Sequence, residues 1–254
     1  MNILVLLKMV PDVVEELEVA GDGKSLDASF LRTIINERDD HALEQAILLK
    51  ERHGGKVTVV ALDAPDIDDT LFATMAKGAD RAVKITDAPE GLTTQMAARL
   101  CGQAIGGLLP ADLVLTGVQA LDDLDGLSAA LVAKQLKFPY IGVVTGVTAN
   151  GPTATVIKEF AGGVRGEFSV TLPAVLGVQA AEKPPRYVPV AKVRAVMKTN
   201  KIETVAAPGD AGAAQIDVRQ LAKPVVSSHA EMLDGSPEEV AGKLVELLAQ
   251  RGLL

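Results

Sequence analysis

Apolar positions in the first 140 residues follow two patterns that take turns. Short unbroken runs suit strands buried on both faces of a parallel sheet: Ile3-Leu-Val-Leu-Leu7, Val57-Thr-Val-Val-Ala-Leu62, Ala82 to Ile85 and Asp112-Leu-Val-Leu-Thr-Gly117. Between them apolar residues recur every three or four positions. The first such stretch opens at Asn36-Glu-Arg-Asp39, sets Ala42, Leu43, Ala46, Ile47 and Leu49 on one stripe, and ends near His53-Gly54-Gly55. His41 and His53 read as solvated residues near its ends. Further helices are predicted over 66–76, after the turn Asp63-Ala-Pro65, over 93–107 and over 129–136. A repeated β-α order implies a Rossmann-like parallel sheet with right-handed crossovers and a ligand at the carboxyl ends of its strands. Leu6, Leu7, Asn36, Asp63 and the stretch from Gly117 to Ser128 share that edge.

Past Phe138-Pro139 the pattern changes. Thr153-Ala-Thr-Val-Ile157 and Glu167-Phe-Ser-Val-Thr171, set apart by Gly162-Gly163 and Gly166, read as an antiparallel pair, and Pro173-Ala-Val-Leu-Gly177 as one more strand. The polar excursion from Glu15 to Lys24 reads as a small hairpin turned by Gly21-Asp-Gly23. Pro184, Pro185 and Pro189 exclude a helix or a central strand there. From Val190 little repeated structure is expected until Ser236, which caps a helix with Pro237 at its first position, Glu239 completing a capping box, and Val240, Leu244, Leu247 and Leu248 along its apolar side. The predicted organisation is an α/β domain over 1–189, with an antiparallel extension, and a C-terminal arm over 190–254. An arm needs a surface to lie on, and a partner subunit supplies one.

The stretch from Asp112 to Leu136 carries the clearest candidate chemistry. A buried strand stops at Gly117, and Val118-Gln-Ala-Leu-Asp-Asp-Leu-Asp125-Gly126-Leu127-Ser128 leads into a helix, with Asp125 expected as its N-cap. Unsatisfied N–H groups and the positive end of the helix dipole then converge at one point outside the sheet, which is how α/β folds hold phosphate. The same arrangement also occurs as a plain capped helix. Asp122, Asp123 and Asp125 would repel a phosphate unless one caps the helix and the others turn to ribose hydroxyls, backbone or solvent, leaving Gly126 and Ser128 as phosphate contacts.

Composition narrows the partners. At 254 residues and 48% hydrophobic the chain can bury a sizeable core, while a net charge of −8 and a pI near 5.0 argue against nucleic acid or an anionic membrane surface. The single cysteine, Cys101, excludes an internal disulfide and fits a reducing compartment. The apolar start is too short for a signal peptide or membrane span, so a cytoplasmic protein without direct membrane insertion is expected. Zinc-protease, nucleophile-elbow, Walker and Gly-x-Gly-x-x-Gly patterns are missing, and the chain reads as a binder that could still contact a redox cofactor.

These residues resemble the beta subunit of electron transfer flavoprotein over nearly the whole length. Ile3 to Lys8 is similar to the family's first strand with its lysine; Asn36 through Leu43-Glu44-Gln-Ala46 and Leu49-Lys50-Glu51 to its Asn-Pro-Phe-Asp stretch and helix; Lys77-Gly-Ala-Asp-Arg81 to its Met-Gly-Ala-Asp-Arg. The most specific match is Asp112-Leu-Val-Leu-Thr-Gly-Val-Gln-Ala-Leu-Asp-Asp123. Lys158 with Gly162-Gly163 and Leu172-Pro-Ala-Val175 resembles the family signature in part, with Ala161 where an acid is usual. Pro185-Arg-Tyr187, Lys192 to Lys198 and Lys201-Ile-Glu203 are similar to the following loop and arm.

The resemblance implies an adenine nucleotide alpha hydrolase-like fold and a heterodimer with an alpha subunit, an FAD held mostly by that partner, and an AMP buried in this chain. Electrons would pass from flavin dehydrogenases to a quinone reductase or another acceptor, making the chain an electron-carrier subunit rather than an enzyme. Carried over residue by residue, the nucleotide contacts are Leu6, Asn36, Glu37, Arg38, Asp39, Asp63, Gly117, Gln119, Ala120, Asp122, Asp123, Asp125, Gly126, Leu127 and Ser128. The chain departs from the family at Val13 and Arg38, where aromatic rings often approach the flavin. It departs again at Leu127-Ser128 in place of Gln-Thr, and at Glu182 in place of a leucine inserted into dehydrogenases. Two alternatives stay open: an electron-bifurcating subunit with a second FAD in place of AMP and NADH as donor, and a stand-alone adenine-nucleotide-binding protein. Asp123, where bifurcating members have glycine, together with the crowding of three aspartates, favours AMP.

Overall fold

The computed structural model of the chain describes residues 1–29, 31–213, 216–225 and 230–254. Strand β1 (Asn2–Leu7) and the short antiparallel pair β2 (Met9–Pro11) and β3 (Thr33–Ile35) precede helix α1 (Glu37–His53). Then come β4 (Lys56–Leu62), α2 (Ile67–Lys77), β5 (Arg81–Thr86), α3 (Thr94–Gly107), β6 (Leu113–Gly117) and α4 (Ser128–Leu136), the alternation expected from the apolar pattern. β7 (Tyr140–Val144), β8 (Gly146–Asn150), β9 (Thr153–Glu159), β10 (Arg165–Thr171) and β11 (Ala174–Val178) follow, then α5 (Val190–Thr199), β12 (Glu203–Ala206) and α6 (Pro237–Gln250).

Seven strands form one parallel sheet in the order β12-β5-β4-β1-β6-β11-β7, and β8, β9 and β10 form a separate antiparallel sheet. The chain builds outward from β1 through β4 to β5, then returns to the other side of β1 at β6. That reversal opens a crevice at the carboxyl ends of β1, β4 and β6, the position at which open α/β sheets hold ligands. Each face is covered: α1 and α2 pack the core containing Leu43, Ile47, Leu71 and Leu115, while α3 and α4 cover Val60, Val83, Val114 and Val175. The central runs are fully buried because both faces carry helices.

Two expectations are corrected. Repeated structure does not stop at Val190: α5 packs on α2, and β12 adds to the open edge of β5 with Glu203 opposite Val83. β12 is exposed along its whole length, so its own sequence shows no burial pattern; the unpaired edge of β5 and the Arg81–Glu203 ion pair at 2.7 Å place it. His41 is half-buried, its Nδ1 accepting the Ala181 N–H at 3.2 Å, because the segment after β11 folds back along α1. β7 and β8, unread in the sequence, extend the two sheets. The hairpin after β2 closes through a single bridge between Val19 and Leu26, around the expected Gly21-Asp-Gly23 turn.

Segment 179–187 lies against α1 through a ladder of polar contacts. The Arg38 guanidinium donates to the Gln179 carbonyl at 2.8 Å, Gln45 exchanges two hydrogen bonds with Glu182, Arg52 pairs with Glu182, and Arg186 reaches the buried Glu44 and the exposed Glu51. The Ser236 capping box in α6 forms as expected, yet none of the residues of α6 is buried.

Candidate nucleotide site

β1 ends at Leu7, and Lys8 continues toward the loop that follows β6. Its Nζ lies 2.7 Å from Asp122 and 2.8 Å from Asp123, so one cation gathers two carboxylates from a loop more than a hundred residues away. The hydrogen bonds and charges of both aspartates outweigh burial and raise the Lys8 pKa above its ordinary value. Thr94, in the first turn of α3, donates to Asp123 at 3.3 Å, while the second carboxylate oxygen of Asp123 is buried without a donor.

Asp125 is not the helix N-cap. Its carboxylate accepts the Leu127 N–H at 3.0 Å within the loop, and α4 starts at Ser128 with Leu127 in the cap position and no side-chain cap. The first N–H groups of α4 are therefore free of a competing side-chain acceptor. Gly126 takes φ +62°, a left-handed conformation that turns the loop into the helix, and a Cβ there would sit 3.2 Å from the Val118 carbonyl.

Behind the loop, Asp39 is buried at 5% exposure, and its two oxygens accept the N–H groups of Gly117 at 2.6 Å and Lys8 at 2.9 Å. Burial pushes its carboxyl from 3.8 up to about 7, against the opposing pull of those two donors. Asn36 donates to the Gln119 carbonyl at 3.0 Å and fixes the start of the same loop. Burial, aided by the charge of Asp39, pushes the Cys101 thiol up to about 12, so it acts as a small apolar group.

Two adjoining cavities result. The larger, about 650 Å³, lies at the carboxyl ends of β1 and β4 and is walled by Leu6, Leu62, Ala98 and Cys101, with Asp63, Thr93, Thr94, Asp122, Asp123, Asp125 and Ser128 supplying polar groups. The smaller, about 40 Å³, is bounded by Leu6, Asn36, Asp39, Gly117, Gln119, Ala120, Asp123, Gly126 and Ser128. Twelve of the predicted site residues are thus brought together: Leu6, Asn36, Asp39, Asp63, Gly117, Gln119, Ala120, Asp122, Asp123, Asp125, Gly126 and Ser128. Glu37 is exposed, Arg38 turns to Gln179, and Leu127 is 40% exposed; these three line neither cavity. Lys8, Thr93, Thr94, Ile216 and Val218 line the larger cavity without having been singled out as site residues. Lys8 and Thr93 stand at the end of β1 and the cap of α3, so the β-α order already puts them on the ligand edge; Ile216 and Val218 carry no such signal.

The family model for the electron transfer flavoprotein domain matches residues 28–210. The chain belongs to the electron transfer flavoprotein beta-subunit family. It is 34% identical to the electron transfer flavoprotein subunit beta of Methylophilus methylotrophus over 98% of each chain. With the subunit beta of Bacillus subtilis (strain 168) it shares 30% identity, over 98% of this chain and 97% of the relative. It is also 33% identical to protein FixA of Azorhizobium caulinodans, over 65% of this chain and 61% of the relative. Val13 is 56% exposed, and Glu182 is held to the body of the chain by Arg52 and Gln45, with the Arg52 hydrogen bond lowering its pKa. Among the described residues no helix is long and apolar enough to cross a membrane.

Proposed function

We propose that this chain is the beta subunit of a heterodimeric, cytoplasmic electron carrier that holds an FAD together with an alpha subunit and an AMP in its own cavity. In this reading electrons pass from flavin dehydrogenases to a quinone reductase or another acceptor, and the C-terminal arm over 190–254 packs on the alpha subunit through its part beyond β12. The observation that carries the nucleotide assignment is the cavity at the sheet's reversal point, bounded by the uncapped N-terminus of α4.

The residues present fit AMP. The N–H groups of Gly126 and Ser128 suit a phosphate, the carboxylates of Asp63 and Asp123 suit ribose hydroxyls, and the apolar walls Leu6, Leu62 and Ala98 suit a base. When bound, the shared flavin supplies the reversible uptake of electrons; this chain supplies orientation, burial and electrostatics. No residue here is assigned to bond-making.

A volume of about 650 Å³ also supports a second reading, in which the cavity takes a second FAD and the complex oxidises NADH. Denaturing the purified complex and separating the released nucleotides decides between them. One FAD and one AMP per heterodimer is expected; two FAD and no AMP moves the assignment to the second reading. Nucleotide on a stable, partnerless monomer would replace both with a stand-alone nucleotide-binding protein.

A further inference from the structure

We propose that Lys8 is a positioning residue that sets how much phosphate charge the cavity tolerates, by cancelling the carboxylates of Asp122 and Asp123 beside the N-terminus of α4. The inference rests on the reading of this cavity as a nucleotide site and goes beyond it by assigning the group that governs phosphate number.

Charge bookkeeping at the site carries it. The end of a helix dipole is worth about half a positive charge, which two uncompensated carboxylates would overwhelm. Among the described residues lining the two cavities, Lys8 is the sole cation, against the carboxyl groups of Asp39, Asp122, Asp123 and Asp125 and that of Asp63, which Lys84 meets from outside the lining at 3.4 Å. Its ammonium meets both carboxylates of the loop at hydrogen-bonding distance, while Asp125 is engaged by the Leu127 N–H. Lys8 is also held at its backbone: its N–H donates to Asp39 and its carbonyl accepts from the Asn36 N–H at 2.9 Å. The side chain therefore starts from a fixed point and has a short path to the loop.

With Lys8 in place the two aspartates and the dipole leave a small residual negative charge. A single phosphate on backbone donors is tolerated, and each further phosphate meets a field that opposes it. Without Lys8 even the first phosphate is repelled, whereas an uncharged nucleoside loses little.

The test uses the full chain with whatever chain co-purifies, stripped of nucleotide with mild denaturant, and compares calorimetric affinities for adenosine, AMP and ADP. In Lys8→Met, AMP is expected to weaken about tenfold or more, ADP further still, and adenosine less than about threefold. In the reverse variant, Asp122→Asn with Asp123→Asn, ADP is expected to gain on adenosine, because Lys8 is left uncompensated. Equal losses of adenosine and AMP in Lys8→Met would make the residue merely structural and overturn the inference, as would an unchanged ADP-to-adenosine ratio in the double variant. The double variant alone decides should Lys8→Met fail to fold. A wild-type chain that binds none of the three overturns the nucleotide reading itself.

Discussion

Asp39 and Gly117 are joined by a 2.6 Å hydrogen bond from the Gly117 N–H to a buried carboxylate. The same carboxylate takes the Lys8 N–H at 2.9 Å. One buried group from the first turn of α1 thus ties together the ends of β1 and β6, the two strands between which the crevice opens. It is a brace for the site, which explains why a residue expected among the nucleotide contacts faces backbone.

Asp39→Asn keeps the shape but sets an amide N–H₂ against a backbone N–H, leaving a buried donor unsatisfied. A loss of about 1–3 kcal/mol in urea unfolding is expected. The pH dependence should change as well. The folded chain holds the Asp39 proton more tightly than the unfolded one, so its contribution to stability is full below about pH 4 and is lost as pH rises to about 7. Unfolding free energies across that window should fall less steeply with pH in Asp39→Asn than in the wild type. Parallel curves would show that the carboxyl titrates normally.

Gly117 allows the close approach that this brace needs. A Cβ on it would lie 2.6 Å from both the Arg38 Cβ and the Asp39 carboxylate. Gly117→Ala should therefore push the first turn of α1 away from β6, at a cost of about 1–3 kcal/mol, and lower nucleotide retention. Unchanged nucleotide content and an unchanged melting temperature would mean that the loop absorbs the methyl group.

What the sequence made legible was whatever repeats locally. Buried parallel strands read as apolar runs, α1 as a stripe from Ala42 to Leu49, and α6 through its capping box. The loop at 117–128 was legible because a strand, a glycine and a helix follow one another. What escaped depends on distant partners. Lys8 gains its role from Asp122 and Asp123, and β12 from the edge of β5. β7 escaped for a local reason: it lies at the sheet edge, half-exposed, with Val143 at φ +60° beside a register shift opposite Gly177 and Val178, so its apolar pattern is broken. Asp125 was misread because an aspartate that turns its own loop and one that caps a helix look alike in sequence.

The ladder along α1 should be sensitive at Arg186. Glu44 is almost wholly buried, its side chain 4% exposed, and Arg186 holds it through a 2.8 Å ion pair, with Glu44 and Glu51 both raising the Arg186 pKa. Arg186→Ala would leave that carboxylate buried and unpaired. A loss of about 2–4 kcal/mol is expected, below the about 3–5 kcal/mol of a fully buried pair because the guanidinium is partly exposed. Pairing Arg186→Met with Glu44→Leu should recover most of it in urea titrations. A double variant as unstable as the single one would show that packing, rather than the stranded charge, sets the cost.

The arm gives the last prediction. α6 has a capping box and an apolar side, yet none of its residues is buried; Leu244 is 47% and Leu248 39% exposed. An isolated helix of this length is marginal in water, and an exposed leucine stripe is a surface that seeks cover. Cover from a partner subunit would supply both. A chain ended at Ala230 should then retain the sheet, with the far-ultraviolet signal reduced only by the lost helix, because no strand or core residue lies beyond that point. On the proposed function it should lose most of its association with the co-expressed alpha subunit, and with it the flavin proposed to be shared. Undiminished co-purification and flavin content in the shortened chain would show that the partner is held elsewhere and that α6 covers nothing the complex needs.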